Sequence, residues 1–156
     1  MEKILIVEDE EVVRDYLSEI LSGLGYNPIT SVDGEDGLKK FYEHDLSMIL
    51  TDIRMPVMDG LSMLKKIRSE DPSIPIIVIT GFPTVDSAVK SLVAGADYYL
   101  VKPINIDDLK AKMVKAFDKR KMISGLTLQK KINRFLLYLI PFWLILGFFI
   151  AHLISF

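Results

Sequence analysis

Five polar residues of this sequence stand at the ends of short apolar runs, where together they could handle a phosphoryl group. Glu8 and Asp9 follow the first apolar run, Asp52 and Thr80 close two later runs, and Lys102 follows the last. Carboxylates held close together repel one another unless a divalent cation neutralises them, and oxygen ligands without His or Cys suit Mg²⁺. A lysine and a hydroxyl beside such a cation would make a site for a phosphoryl group.

Each of these residues also has an ordinary explanation. Acidic residues near the start of a helix complement the helix dipole, and Lys102 could be a surface charge. However, all five residues are predicted to lie at one edge of the same β-sheet. This convergence favours a phosphoryl-binding site over five unrelated roles.

Apolar runs that alternate with amphipathic stretches must position these residues. The predicted strands are Lys3–Val7, Pro28–Val32, Leu46–Thr51, Ile74–Thr80 and Asp97–Val101. Between them apolar residues recur at helical spacing, and Gly, Pro or Asp marks each change. Five strand–helix units in succession predict an α/β fold with a doubly wound parallel sheet, and such sheets carry their functional residues at the carboxyl ends of the strands.

Four motifs occur in a fixed order along the chain. They are Ile6-Val7-Glu8-Asp9, the stretch LTDIRMPVMDG from Leu50 to Gly60, Ile79-Thr80-Gly81, and YYLVKP from Tyr98 to Pro103. Together they resemble the receiver domain of two-component response regulators, and the resemblance covers about residues 1–120. It implies a flavodoxin-like fold with five strands in the order 2-1-3-4-5 and helices on both faces.

The resemblance also implies the chemistry of the site. Asp52 would accept a phosphoryl group from the phosphohistidine of a sensor histidine kinase, with Mg²⁺ held by Glu8, Asp9, Asp52 and the backbone carbonyl of Arg54. Lys102, Thr80 and the backbone amide of Gly81 would bind the phosphoryl oxygens. Such a domain can catalyse its own modification, because the loose phosphoryl-transfer transition state needs mainly positioning and charge neutralisation. It is not an enzyme with turnover.

A conformational switch is part of what the resemblance implies. Thr80 would move toward the aspartyl phosphate, and Tyr99 would turn inward and change the surface formed by helix 4, strand 5 and helix 5. A downstream protein could bind that surface, or a second copy of the chain could form a homodimer. Periodicity alone does not choose between Tyr98 and Tyr99 as the switch residue. The Lys102-Pro103 bond resembles the cis peptide of the family.

Two side chains are expected to set the lifetime of the aspartyl phosphate. Arg54 lies two residues after Asp52, and Phe82 lies two residues after Thr80. By the resemblance, both border the route of the attacking water. Neither is a good base for orienting that water, so we expect slow self-dephosphorylation.

The charges divide the chain into unlike parts. All 21 acidic residues and 13 of the 19 basic residues lie at or before Asp118, which gives a net charge of about −8. Lys119, Arg120, Lys121, Lys130, Lys131 and Arg134 then precede 22 uncharged residues. We therefore predict a receiver domain over 1–120, a basic amphipathic linker over 121–134 and a transmembrane helix over 135–156.

The position of the basic residues predicts the orientation of this helix. They flank only its N-terminal side, which by the positive-inside rule places the receiver on the cytoplasmic side of the inner (plasma) membrane, anchored by its C-terminus. Anionic lipid headgroups would attract the basic linker. No nucleic-acid partner is expected, because the receiver part is acidic and residues 122–156 are too few and too apolar for a helix-turn-helix domain.

Two further hypotheses belong to other classes. The chain could be a soluble single-domain receiver whose apolar tail mediates dimerisation or partner binding. It could also be a phosphohydrolase with an aspartate nucleophile. That reaction requires an acid/base carboxylate two residues after the nucleophile, and this position is occupied by Arg54. A truncated form of a longer regulator also remains open.

Overall fold

The computed structural model of the chain describes residues 1–123 and residue 125. The strands and helices alternate as β1 (Lys3–Val7), α1 (Glu11–Gly23), β2 (Asn27–Ser31), α2 (Gly34–Glu43), β3 (Met48–Asp52), α3 (Gly60–Glu70), β4 (Ile76–Thr80), α4 (Val85–Val93) and β5 (Tyr98–Val101). A fifth helix, α5, begins at residue 106, and its described part runs to residue 123. The five predicted strand–helix units are confirmed.

The strands form one parallel sheet in the order β2-β1-β3-β4-β5. Val7 pairs with Thr51, which pairs in turn with Val78, while Thr80 pairs with Val101. Because all strands run in the same direction, their carboxyl ends meet at one edge of the sheet. The predicted strand order and the predicted functional edge both follow from this pairing.

Alternating residues of each strand supply two cores, one on each face of the sheet. Ile4 and Ile6 of β1 pack into one core, and Leu5 and Val7 pack into the other. Residues 4–7 are all fully buried, as expected for a strand covered by helices on both faces. Each such aliphatic side chain stabilises the fold by about 1.5–3 kcal/mol relative to an exposed one.

Side-chain caps begin α2, α3 and α4 near the functional edge. The Asp33 carboxylate accepts hydrogen bonds from two amides at the start of α2, and the Asp59 carboxylate accepts one from Ser62 N at the start of α3. Thr84 begins α4 with a capping box in which Ser87 is the reciprocal partner. These caps satisfy amides that a helix leaves without partners in its first turn.

The strand bounds differ from the sequence prediction by up to two residues. β4 begins at Ile76 where the sequence indicated Ile74, and Pro75 between them has no amide hydrogen to donate to a sheet. β3 begins two residues later than predicted and includes Asp52, which pairs with Ile79. The phosphoacceptor candidate is therefore part of the sheet itself.

Contacts divide the chain into two units, Met1–Arg120 and Lys121–Phe156. In the described part of the chain, no helix is long and apolar enough to cross a membrane. The helix predicted over 135–156 lies outside the described residues, as does most of the predicted linker over 121–134.

Candidate functional site

The carboxyl ends of four strands bring the candidate residues to one edge of the sheet. Glu8 directly follows β1, Asp52 ends β3, Thr80 ends β4, and Lys102 follows β5. Glu8, Asp52 and Thr80 are buried, although each carries a polar group. Buried polar groups need partners, so the contacts among these side chains define the site.

Lys102 lies at the centre of the site. Its Nζ atom is 2.8 Å from Glu8 Oε1 and 2.8 Å from Asp52 Oδ2, and 3.5 Å from Glu10 Oε1. The Lys102-Pro103 peptide bond is cis, as predicted. One ammonium group thus neutralises two buried carboxylates that would otherwise repel each other.

The electrostatics of the site follow from burial and from these hydrogen bonds. Burial alone would lower the pKa of Lys102, but hydrogen bonds to Asp52 and Glu8 outweigh burial and raise this pKa above its ordinary value. Burial raises the pKa of the Glu8 carboxyl, and the hydrogen bond from Lys102 offsets part of the rise. Lys102 therefore carries a positive charge at neutral pH and would attract an anionic phosphoryl group.

Backbone groups hold Asp52 in a defined orientation. Its Oδ1 atom accepts hydrogen bonds from the amides of Ile53 and Arg54, while its Oδ2 atom faces Lys102. The start of α3 packs closely behind it, since a Cβ atom at Gly60 would lie only 1.9 Å from the Asp52 carbonyl oxygen. Gly60 is required there because any side chain would push α3 away from β3.

The carboxylates fit a magnesium ion. Oxygen atoms of Glu8, Glu10 and Asp52 all lie within 4.8 Å of one another, and an all-oxygen set of acidic ligands suits Mg²⁺. Sequence reasoning missed Glu10, although residues two apart in an extended segment share a side and Glu10 follows Glu8 at that spacing. The predicted ligand Asp9 is exposed and does not belong to this group.

Thr80 and the two residues after it form the β4 side of the site. The buried Thr80 Oγ1 atom accepts a hydrogen bond from Phe82 N at 3.2 Å. A Cβ atom at Gly81 would lie 3.7 Å from Lys102 Cδ, an ordinary contact distance, so the Gly81 backbone runs beside the lysine stem. Thr80, Gly81 and Lys102 are therefore close neighbours, and the Lys102 amide donates a hydrogen bond to the Thr80 carbonyl oxygen at 2.8 Å.

The two predicted lifetime residues touch each other. The guanidinium carbon of Arg54 lies 4.7 Å from the centre of the Phe82 ring, over its face. Both side chains are exposed, and Phe82 retains 63% of its accessible surface. A cation–π contact thus joins the β3–α3 loop to the β4–α4 loop beside Asp52 and Thr80.

Tyr98 and Tyr99 lie on opposite faces of β5. Tyr98 packs against the core that contains Ile4 and Ile6, whereas Tyr99 packs against the other core. The Tyr99 hydroxyl lies 2.9 Å from the Ser87 Oγ atom on α4. Tyr99 is thus the tyrosine that contacts α4, a distinction that sequence periodicity did not provide.

The order of the strands, the half-buried lysine and the acidic pocket place the chain in the class of flavodoxin-like α/β domains with an acidic site at the carboxyl edge of the sheet. A sequence model of the family described as the response regulator receiver domain matches residues 4–114, and the chain belongs to this family.

Individual relatives agree with the family assignment. Transcriptional regulatory protein ZraR of Salmonella typhimurium is 40% identical over 113 residues, which are 72% of this chain and 26% of ZraR. The chain therefore spans about a quarter of the length of this relative.

Two solved structures are also similar. Response regulator TrrA of Thermotoga maritima, in complex with Mg²⁺ and BeF, has a TM-score of 0.69 at 37% identity over 74% of this chain and 99% of that one. The beryllofluoride-activated NtrC4 receiver domain dimer has a TM-score of 0.72 at 35% identity over 77% and 99%.

Proposed function

We propose that Asp52 is the phosphoacceptor of a two-component signalling switch. The observation that carries this proposal is the position of Lys102 Nζ, 2.8 Å from the buried carboxylates of both Glu8 and Asp52. A lysine held there by two carboxylates can pair with an added phosphoryl oxygen once Asp52 is modified. Glu8 keeps the ammonium group in place when Asp52 changes its charge and shape.

Phosphoryl transfer would break the N–P bond of a kinase phosphohistidine and form an O–P bond to Asp52. Lys102, the Thr80 hydroxyl and the Gly81 amide would bind the oxygens of the transferred group. Glu8, Asp9, Asp52 and the Arg54 carbonyl are the proposed magnesium ligands, and the ion would neutralise phosphoryl charge during transfer. The grouping of Glu8, Glu10 and Asp52 adds Glu10 as a candidate ligand. The chain modifies itself and is not proposed to be an enzyme with turnover.

The output of this switch is proposed to be the surface of α4, β5 and α5. The hydrogen bond between Tyr99 and Ser87 supports this assignment, because it joins β5 to α4 directly. Either a downstream protein or a second copy of the chain is the proposed partner. The dimer of the NtrC4 receiver domain supports a homodimer by similarity.

A second proposal concerns location. The support is the sequence itself, where six basic residues precede 22 uncharged residues at 135–156. That length is sufficient for a helix to cross the hydrocarbon core of a bilayer. We propose that this segment anchors the receiver to the cytoplasmic side of the inner membrane, with the basic linker at the lipid headgroups. The alternative is a soluble receiver whose apolar segment binds a partner or a second copy.

Labelling with a small phosphodonor tests the site. With acetyl phosphate and Mg²⁺, the wild-type chain should acquire an acid-labile phosphoryl group, and Asp52→Asn should abolish labelling because the nucleophilic carboxylate is lost. Asp15→Asn, which changes an exposed carboxylate on α1, is the matched control and should label like wild type. Unchanged labelling of Asp52→Asn would overturn the assignment.

A further inference from the structure

Ser87 is a polar residue that the proposed chemistry does not use. It is the third residue of α4, is partly buried, and lies 2.9 Å from the Tyr99 hydroxyl through its Oγ atom. The same Oγ atom accepts a hydrogen bond from Thr84 N at 3.0 Å and donates one to Thr84 O at 2.9 Å. Ser87 therefore connects Tyr99 to the backbone of the α4 cap.

Either hydroxyl of the Ser87–Tyr99 pair can be the donor. A serine hydroxyl has one hydrogen, so Tyr99 is the donor when Ser87 donates to the Thr84 carbonyl oxygen. In either direction, the hydrogen bond ties the Tyr99 hydroxyl to the capping box in the first turn of α4.

The cap stands next to the phosphoryl site in the chain. Thr84 follows Thr80 after a loop of three residues, and Tyr99 pairs across the sheet with Val78, two residues before Thr80 in β4. Hence the chain connects Thr80 to the α4 cap through the loop, the hydrogen bond of Ser87 connects that cap to Tyr99, and sheet pairing connects Tyr99 back to β4. A shift of Thr80 that moved this loop would change the position of Ser87 relative to Tyr99.

We propose that Ser87 is a positioning residue that latches Tyr99 to α4 in the unphosphorylated chain. The inference rests on the proposed function, because a latch matters only if a phosphoryl group on Asp52 shifts the chain between two states. Tyr99 must give up its hydrogen bond to Ser87 before its ring can leave α4. The latch therefore favours the resting state and raises the concentration of phosphoryl analogue needed to switch the chain.

The test uses the full chain, with beryllofluoride and Mg²⁺ as the phosphoryl analogue. Ring-labelled tyrosine gives NMR signals for the six tyrosines, and the Tyr99 signal is assigned by its loss in Tyr99→Phe. In Ser87→Ala, the Tyr99 signal without analogue should move toward its position in saturated wild type. The beryllofluoride midpoint should fall about fivefold, which is the effect of one ordinary hydrogen bond.

Two further variants separate a latch from a weakened helix cap. Thr84→Ala removes the side chain that accepts from Ser87 N but keeps the Thr84 backbone groups that orient Ser87. It should lower thermal stability as Ser87→Ala does, yet leave the midpoint within about twofold of wild type. Ser87→Thr keeps the hydroxyl group and should therefore have the same beryllofluoride midpoint as wild type.

The outcomes are distinguishable. If wild type responds to beryllofluoride and Ser87→Ala has the same midpoint, the latch is wrong and the proposed function stands. An equal midpoint shift in Thr84→Ala would also overturn the latch, because cap stability alone would then explain the effect. A wild-type chain that shows no response at all would contradict the proposed function.

Discussion

Arg54 and Phe82 contact each other through two exposed side chains, in the loops that follow Asp52 and Thr80. Their cation–π contact at 4.7 Å places a cation and an apolar ring beside Asp52 and Thr80, without a group that could orient water. The aspartyl phosphate should therefore be long-lived. The contact was absent from the sequence prediction, which named the two residues separately.

Replacing both lifetime residues should shorten the life of the aspartyl phosphate. Arg54→Asn with Phe82→Glu introduces groups that can orient water, and hydrolysis should be faster by about tenfold, roughly 1.4 kcal/mol in the barrier. Loss of labelled phosphoryl group after removal of the phosphodonor measures this. Lys39→Asn with Tyr42→Glu introduces the same two residues on α2, in place of an exposed cation and an exposed aromatic ring, and should not alter the rate. A wild-type half-life of seconds, or a double variant no faster than wild type, would contradict the expectation.

Asp9 and Glu10 are expected to contribute differently to the affinity of the site for Mg²⁺. Glu10 belongs to the group of close carboxylates, but its side chain is 65% exposed, so water screens its charge. Asp9 is exposed as well, but its shorter side chain loses less rotamer freedom on binding a cation. We expect Asp9→Asn to weaken Mg²⁺ binding by about tenfold and Glu10→Gln by about twofold or less, consistent with a weak exposed charge. Calorimetric titration with MgCl₂ measures both, and the reverse order would make Glu10 the ligand.

At the scale of elements, the loop from α3 to β4 is organised by one carboxylate. Asp71 accepts hydrogen bonds from Ser73 N at 2.8 Å, Ser73 Oγ at 2.7 Å and Ile74 N at 3.0 Å. Burial alone would raise the pKa of Asp71, but these hydrogen bonds outweigh it and lower the pKa below its ordinary value. These hydrogen bonds order the loop that leads into β4, the strand that ends at Thr80.

The lowered pKa of Asp71 predicts how stability depends on pH. The folded state favours the ionised carboxylate, so its stabilising effect is present above the ordinary pKa of about 3.9 and is lost as the pH falls below it. Asp71→Asn should lower the free energy of unfolding by about 1 kcal/mol at pH 7, the size of one hydrogen bond. The difference from wild type should shrink below about pH 4.

Urea unfolding at pH 7 and pH 3.5 measures this difference. Asp15→Asn, at an exposed position of α1, is the control and should change stability little at either pH. A difference between Asp71→Asn and wild type that stays constant across this range would contradict the role of the ionised carboxylate.

A second cluster joins elements at the amino-terminal edge of the sheet. Arg68 of α3 donates to the carbonyl oxygens of Gly95 and Ile74 and pairs with Asp97 at 3.0 Å. Asp97 also accepts from Ile76 N and pairs with Lys119 of α5. These bonds connect α3, β4, the turn before β5 and α5, on the edge opposite the phosphoryl site.

At the scale of the whole molecule, the proposed membrane anchor determines where the chain is located in the cell. The full chain should sediment with membranes, because the 22 uncharged residues at 135–156 favour the hydrocarbon core. The control keeps the full length and carries Leu144→Lys with Phe148→Lys, each lysine costing about 2.5–3.5 kcal/mol at the centre of a spanning helix. It should move to the soluble fraction.

Protease treatment of inverted vesicles tests the orientation. The receiver should be digested in inside-out vesicles, because the six basic residues keep it on the cytoplasmic side. Protection of the receiver there would contradict this orientation. A wild-type chain found in the soluble fraction as a dimer would instead support the soluble alternative.

Sequence by itself determined the fold class, the strand order through the resemblance, and the edge where Glu8, Asp52, Thr80 and Lys102 meet. The physical reason is local. Apolar periodicity and Gly, Pro or Asp at each change define the elements, and parallel strands with helical connections must place their carboxyl ends together. Polar residues at the carboxyl ends of neighbouring strands are thereby placed at the same edge of the sheet.

Only the tertiary structure decided which side chains touch. The place of Glu10 beside Glu8 and Asp52, the contact of Arg54 with Phe82, and the hydrogen bond of Tyr99 to Ser87 join residues on different segments. Such contacts depend on rotamers and on how closely helices pack against the sheet, which no single stretch of sequence specifies. Tyr98 and Tyr99 are the same residue type in the same strand, and only the packing of α4 on one face of the sheet distinguishes them.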